Sequence, residues 1–128
     1  MREFVYDSGA LITIDGSRDI AEVSDHKKRL ARGNHIIVPA PVAAQVVRDP
    51  RRQARLMLAL RGCDIVPFEE DDIFPVGKLL ASSGTSDVVD GFVALTALKA
   101  SAAVVTSDPD DIAHLLYTLG AKLPVLRA

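Results

Sequence analysis

What most constrains the fold of this chain is the alternation of two hydrophobic periods. Short runs rich in β-branched or aromatic residues stand at Phe4-Val5-Tyr6, Ile36-Ile37-Val38, Ile65-Val66, Ala103-Val104-Val105 and Pro124-Val125-Leu126. Each is brief and almost wholly apolar, the pattern of strands covered on both faces. Longer stretches with helical spacing lie between them, over residues 17–32, 41–47, 51–60, 71–83, 87–101 and 109–119. The break at Asp49-Pro50 parts the second stretch from the third, because proline disfavours helix in the residue before it. Gly33, Gly62, Gly84 and Gly120 each follow a helical stretch, where a residue without Cβ can turn left-handed at little cost. Strand and helix alternate repeatedly, which predicts right-handed βαβ units. The expected class is α/β, with a parallel sheet of about five strands covered by helices on both faces.

The length of 128 residues suits a single domain over 1–128. Lys and Arg number 15 against 17 Asp and Glu, a formal charge of −2, which excludes a uniformly basic nucleic-acid glove. The single cysteine, Cys63, rules out an internal disulfide and a cysteine-built zinc or iron–sulfur site. No apolar run approaches the ~18 residues of a membrane span. The opening MREFVYD puts an acid where a signal peptide needs its apolar core. A soluble cytoplasmic protein is expected.

In open parallel sheets function collects at the carboxyl ends of the strands, so the residues following each strand carry the most information. Asp7-Ser8-Gly9 follows the first strand and Thr106-Ser107-Asp108-Pro109 follows the fourth. If those strands are neighbours, Asp7 and Asp108 converge. Asp87 and Asp90, three residues apart, share a helical face on the approach to the fourth strand. Helix capping is the simpler account of each acid alone: Asp108 before Pro109, Asp7 before a short turn, Asp87 with Ser86 as competitor. Capping does not require convergence, however. Clustered carboxylates repel, and a divalent cation is the usual reason to tolerate them. All-oxygen donors without cysteine or a spaced histidine pair point to Mg²⁺ or Mn²⁺ acting on a phosphate substrate.

These segments resemble a known family. Tyr6-Asp7-Ser8-Gly9-Ala10-Leu11 is similar to the opening of PIN-domain proteins, specifically the VapC-type toxins of bacterial toxin–antitoxin pairs. Val88-Val89-Asp90-Gly91-Phe92-Val93-Ala94 resembles their central acid motif, and Val104-Val105-Thr106-Ser107-Asp108-Pro109-Asp110-Asp111 their late Thr-Ser-Asp motif. The resemblance covers essentially the whole chain. It implies a PIN-like three-layer α/β/α sandwich and a Mg²⁺- or Mn²⁺-dependent endoribonuclease that hydrolyses RNA by cation-activated water. It also implies a homodimer and inhibition by a VapB-type antitoxin. Asp7, Asp90 and Asp108 match the first, third and fourth family acids, and Asp111 an additional one. The second family acid, a glutamate, reads Gln45 here. An amide oxygen can still reach a cation, but one negative charge and one potential base are gone. Three readings follow. Asp87 supplies the missing charge, the cation binds more weakly, or the chain keeps fold and partner binding without catalysis. The intact remaining acids favour weakened or altered activity over full loss.

Arg48, Arg51, Arg52 and Arg55 have the spacing of one helical face, expected either as an RNA-tracking surface or as a solvated face over Leu56 and Leu60. Lys27, Lys28 and Arg29 complement a helix dipole. Ser8, Thr106 and Ser107 either support a cation-bound water or phosphate, or simply bond backbone. His26, His35 and His114 lack ligand spacing and read as packing or surface residues. Glu69-Glu70-Asp71-Asp72 reads as an acidic first helical turn. A phospho-acceptor receiver domain is set aside, because a single acid follows the first strand and Pro67-Phe68 follows the third.

Overall fold

A computed structural model describes residues 2–16 and 20–128. Its strands are β1 (Glu3–Tyr6), β2 (His35–Pro39), β3 (Asp64–Val66), β4 (Ala103–Thr106) and β5 (Val125–Arg127). They form one parallel sheet in the order β3-β2-β1-β4-β5. The helices are α1 (Ser8–Gly16), α2 (Ile20–Ala31), α3 (Ala40–Val46), α4 (Ala54–Arg61), α5 (Ile73–Ser83), α6 (Val88–Ala100) and α7 (Pro109–Thr118). α1 to α4 form one layer; α5, α6 and α7 form the other against the opposite face. This is the expected α/β/α sandwich.

The three central strands are buried almost throughout, as their unbroken apolar runs require. β3 and β5 depart from that pattern. They lie at the sheet's edges, and Ile65 and Leu126 remain exposed. α6 crosses the middle of the sheet, and every residue from Gly91 to Ala97 is buried. That explains its nearly all-apolar sequence.

Two elements differ from the sequence expectation. α1 was not anticipated: Leu11-Ile12-Thr13-Ile14 is rich in β-branched residues and lacks polar alternation. It is helical because Asp7 caps it and because the layer buries Ala10, Leu11 and Ile14. Arg51 and Arg52 lie in a 3₁₀ turn, Pro50–Arg52, rather than in the helix that carries Arg55. Part of the expected 17–32 helix, Ser17 to Asp19, lies outside the described residues; from Ile20 the helix is present. Gly33, Gly84 and Gly120 take φ of +72°, +72° and +70°, while Gly62 stays right-handed at −89°. Among the described residues no helix is long and apolar enough to cross a membrane.

Candidate active site

The chain reverses its winding between β1 and β4, and that switch point opens a crevice at their carboxyl ends. β1 and β4 pair directly, with Tyr6 opposite Val105, so the convergence expected of Asp7 and Asp108 is present in the strand order. Asp7 is buried. Its N–H donates to Val105 O at 3.1 Å, and its Oδ1 accepts from Ala10 N–H at 3.2 Å. Thr106, fully buried, donates its hydroxyl to Asp7 Oδ2 and accepts the Asp108 N–H at 2.9 Å. One hydroxyl thus joins two acids and two strand ends. Burial raises the Asp7 pKa, against the lowering effect of the Thr106, Ala10 and Gly9 bonds; Asp108 nearby adds to the rise.

Asp108 stands at the N-cap position of α7, yet its side chain makes no cap bond. The capping account therefore fails for Asp108, whose exposed carboxylate is not committed to the helix start. Asp87 behaves oppositely. Its Oδ1 accepts the Asp90 N–H at 3.0 Å, which makes it the cap of α6 ahead of Ser86. Asp90, in the first turn of α6, is only partly exposed. Its pKa is raised to about 6, chiefly by burial, then by Asp87, Asp7, Asp111 and Asp108 in that order. Acids from the β1 end, the α6 start and the α7 start therefore share one electrostatic field.

Asp87, Asp90 and Asp111 line a cavity of about 300 Å³ together with Thr85, Ser86, His114 and Leu115. His114 was read as surface or packing. It is exposed, but it stands one helical turn beyond Asp111 and bonds through Nε2 to Ser83 O at 2.8 Å, tying α7 to the loop that carries Asp87. Nothing in its spacing signalled this, because Ser83 and His114 meet only through the packing of α5 on α7. Gly9 is required by close approach: a Cβ there would stand 1.9 Å from Ser107 Oγ and 2.5 Å from Ser107 Cβ. Ser107 therefore lies against the start of α1, the turn that Ser8 opens.

Gln45 is exposed in the last turn of α3 and makes no hydrogen bond among the described residues. The arginines do not form the single helical face expected of them. Arg48 donates to Ala44 O at 2.9 Å and Val47 O at 2.8 Å, closing α3. Arg51 and Arg52 sit on the 3₁₀ turn and face Asp49 at 3.2 and 3.8 Å. Arg55 is on α4. The Asp49-Pro50 break, by ending α3, removes the common axis on which the spacing depended. The sequence reading also passed over Gln53. Its Oε1 accepts from the N–H groups of Arg48 and Asp49, and its Nε2 donates to Asp15 Oδ2 and Val46 O.

The donor chemistry of the acids decides which ion they fit. The acids offer only carboxylate oxygen; burial first and their mutual repulsion second raise the Asp90 pKa, and that repulsion suits a hard divalent cation. As placed, no three of the described His, Cys, Asp or Glu side chains are grouped to hold one ion. The charge is therefore assembled, but the ligand set is not closed.

The family model for the PIN domain matches residues 4–115. The chain belongs to the PIN-domain family. Its PIN fold is similar to that in the crystal structure of VapBC2 from Rickettsia felis bound to a promoter DNA fragment. Identity there is 16%, the TM-score 0.68, and 98% of each chain is covered. FitAcB from Neisseria gonorrhoeae gives 15% identity and a TM-score of 0.68 over 96% of each chain. PAE2754 from Pyrobaculum aerophilum gives 16% and 0.60 over 94% of this chain and 90% of that one. A comparison with curated proteins gives no match.

Proposed function

We propose that this PIN-domain protein is a VapC-type toxin: a divalent-cation-dependent endoribonuclease, cytoplasmic, homodimeric and restrained by a VapB-type antitoxin. The observation that carries the reading is the meeting of Asp7, Asp90, Asp108 and Asp111 in one field at the sheet's switch point. The toxin–antitoxin character of the VapBC2 and FitAcB structures, which share the fold, supports the choice within the family.

Asp7, Asp90 and Asp108 would hold Mg²⁺ or Mn²⁺, with Asp111, Asp87 and the Gln45 amide as further oxygen donors. A cation so held supplies Lewis acidity towards a phosphodiester and acidifies water. The remaining work falls to the chain itself. Thr106 fixes the rotamer of Asp7 by bonding one carboxylate oxygen, and Ala10 N–H holds the other. Asp90, whose pKa burial and then the neighbouring acids raise to about 6, is the carboxylate whose charge a bound cation would relieve most. Asp108, uncommitted to a cap, can turn towards the crevice. Ser8 and Ser107 offer hydroxyls at its rim. Arg55, with Arg48, Arg51 and Arg52 beyond it, supplies positive charge for the RNA backbone.

A second reading keeps the fold, the dimer and antitoxin binding but lacks catalysis. Gln45 favours it, because one carboxylate of the family set is absent and no acid in α3 replaces it. Purified protein freed of any partner, incubated with RNA and Mn²⁺ or Mg²⁺, separates the two. Cation-dependent cleavage lost in Asp7→Asn supports the enzyme. Cleavage seen only in Gln45→Glu supports the binding module, and cleavage that persists in Asp7→Asn overturns the proposed site.

A further inference from the structure

RNA approaching the acidic edge meets repulsion from Asp7, Asp87, Asp90, Asp108 and Asp111, so attraction has to come from cations elsewhere. The arginines around Asp49 are partly compensated: Arg51 and Arg52 face that acid, and Arg48 bonds the end of α3.

The opposite, amino-terminal edge of the sheet is different. There a cavity of about 350 Å³ is lined by Arg2, Lys28, Arg29 and Arg32, and among the described lining residues Asp25 is the one acid. It is assembled from separate elements. Arg2 leads into β1, Lys28 and Arg29 occupy the last turn of α2, and Arg32 follows it. Arg2 N–H donates to Asn34 Oδ1 at 2.9 Å, pinning the start of β1 to the turn before β2. The Arg2 and Arg29 guanidinium groups lie 5.4 and 5.2 Å from the Phe4 ring centroid, and Arg29 donates to the Tyr6 hydroxyl at 3.0 Å. Stacking on a buried ring restrains side chains that would otherwise lose much freedom on binding. Lys28 and Arg32, one turn apart and exposed, make no ion pair among the described residues. Complementing the α2 dipole accounts for Lys28 and Arg29, but not for Arg2.

We propose that this cavity is a second contact site for the phosphate backbone of single-stranded RNA. The inference rests on the ribonuclease reading above. From Arg2 to Asp7 is the length of β1, about 16 Å at ~3.3 Å per residue, so one strand of RNA can reach both edges. Exposed Leu126 of β5 lines the cavity, and β5 ends beside Thr106, where Ala128 N–H donates to Thr106 O at 2.8 Å. The outer face of β5 thus links the basic cavity to the strand end that holds Asp7. A basic groove that follows a backbone at a distance from the chemistry is a common device for single strands.

Fluorescence anisotropy with an RNA oligonucleotide of about 16 nucleotides, a full single-strand site, tests the proposal. All proteins carry Asp7→Asn to prevent cleavage, with Mg²⁺ present. The Lys28→Glu/Arg32→Glu variant is expected to bind on the order of tenfold more weakly. Its slope of log affinity against log salt should be shallower by about 1.4, for two lost phosphate contacts at ~0.7 each. Arg2→Gln should shift both in the same direction by less, and Lys78→Glu on α5, which changes the net charge half as much as the double variant, serves as the distal control. Equal affinity and slope in the double variant would overturn the proposal while leaving the ribonuclease reading intact. If the double variant instead loses affinity only for polyglutamate, the cavity takes an acidic protein segment and the RNA assignment is wrong. A wild-type protein that neither binds nor cleaves RNA removes the ribonuclease reading and this site with it.

Discussion

Thr106 joins Asp7 to Asp108, so its replacement by the isosteric valine is the sharpest local perturbation of the acidic edge. Thr106→Val keeps the buried volume and removes two bonds: the hydroxyl donated to Asp7 Oδ2 and the acceptor of Asp108 N–H. A bond to an ionised carboxylate contributes ~1.5–3 kcal/mol. Asp108 is exposed, so water can replace the second bond at little cost. The expected loss is therefore about 2–3 kcal/mol near pH 7.5. For a domain of this size, between the small and large classes, that corresponds to a fall in Tm of roughly 6–15 °C, at ~3–5 °C per kcal/mol. The loss depends on pH. The Thr106 bond lowers the Asp7 pKa, so its removal raises an already raised value further. As pH falls through that titration, the charge-assisted part of the bond vanishes in both proteins. The difference should then shrink to the ~1 kcal/mol of a neutral hydrogen bond. Urea unfolding at pH 7.5 and pH 4, followed by circular dichroism, measures both values. Thr106→Ser, which keeps the hydroxyl, should restore most of the stability. A Thr106→Val protein within 0.5 kcal/mol of wild type, or a loss equal at both pH values, would refute the reasoning.

Two further outcomes follow from the same site. Asp90 has a folded pKa raised to about 6, so protonation favours the folded state, and that contribution is lost as pH rises from about 4 through 6. Asp90→Asn should therefore raise the Tm of metal-free protein at pH 7.5 and lose this advantage below pH 4; a lowered Tm at pH 7.5 would contradict it. Gly9→Ala forces a Cβ against Ser107 and should destabilise by ~1–3 kcal/mol in urea melts, with partial recovery in Gly9→Ala/Ser107→Gly.

The strands were legible because β-branched runs mark them directly: each of the five quoted runs falls in a strand within a residue or so. Their order was not legible, and it is the order that pairs β1 with β4 and brings Asp7 towards Asp108. α1 escaped notice because burial, not amphipathic spacing, stabilises it, so its β-branched residues gave the wrong local signal. The acids themselves were readable from their places after strands and before helices. What each side chain does was not. Asp87 caps and Asp108 does not, a difference set by backbone angles and neighbours that spacing cannot report. The arginine face failed for a local reason, the turn at Asp49-Pro50. The roles of His114, Gln53 and Arg2 arise from elements distant in sequence, where periodicity carries no information.

The proposed function rests on the acids gathered at the β1 and β4 ends forming a divalent-cation centre. Calorimetric titration of Mn²⁺ into partner-free protein at pH 7.5 tests it most directly. The expected result is saturable binding that weakens in both Asp7→Asn and Asp90→Asn and tightens in Gln45→Glu, where a carboxylate is restored to α3. Absence of binding in wild type and in Gln45→Glu, or binding indifferent to Asp7→Asn and Asp90→Asn, would contradict the claim.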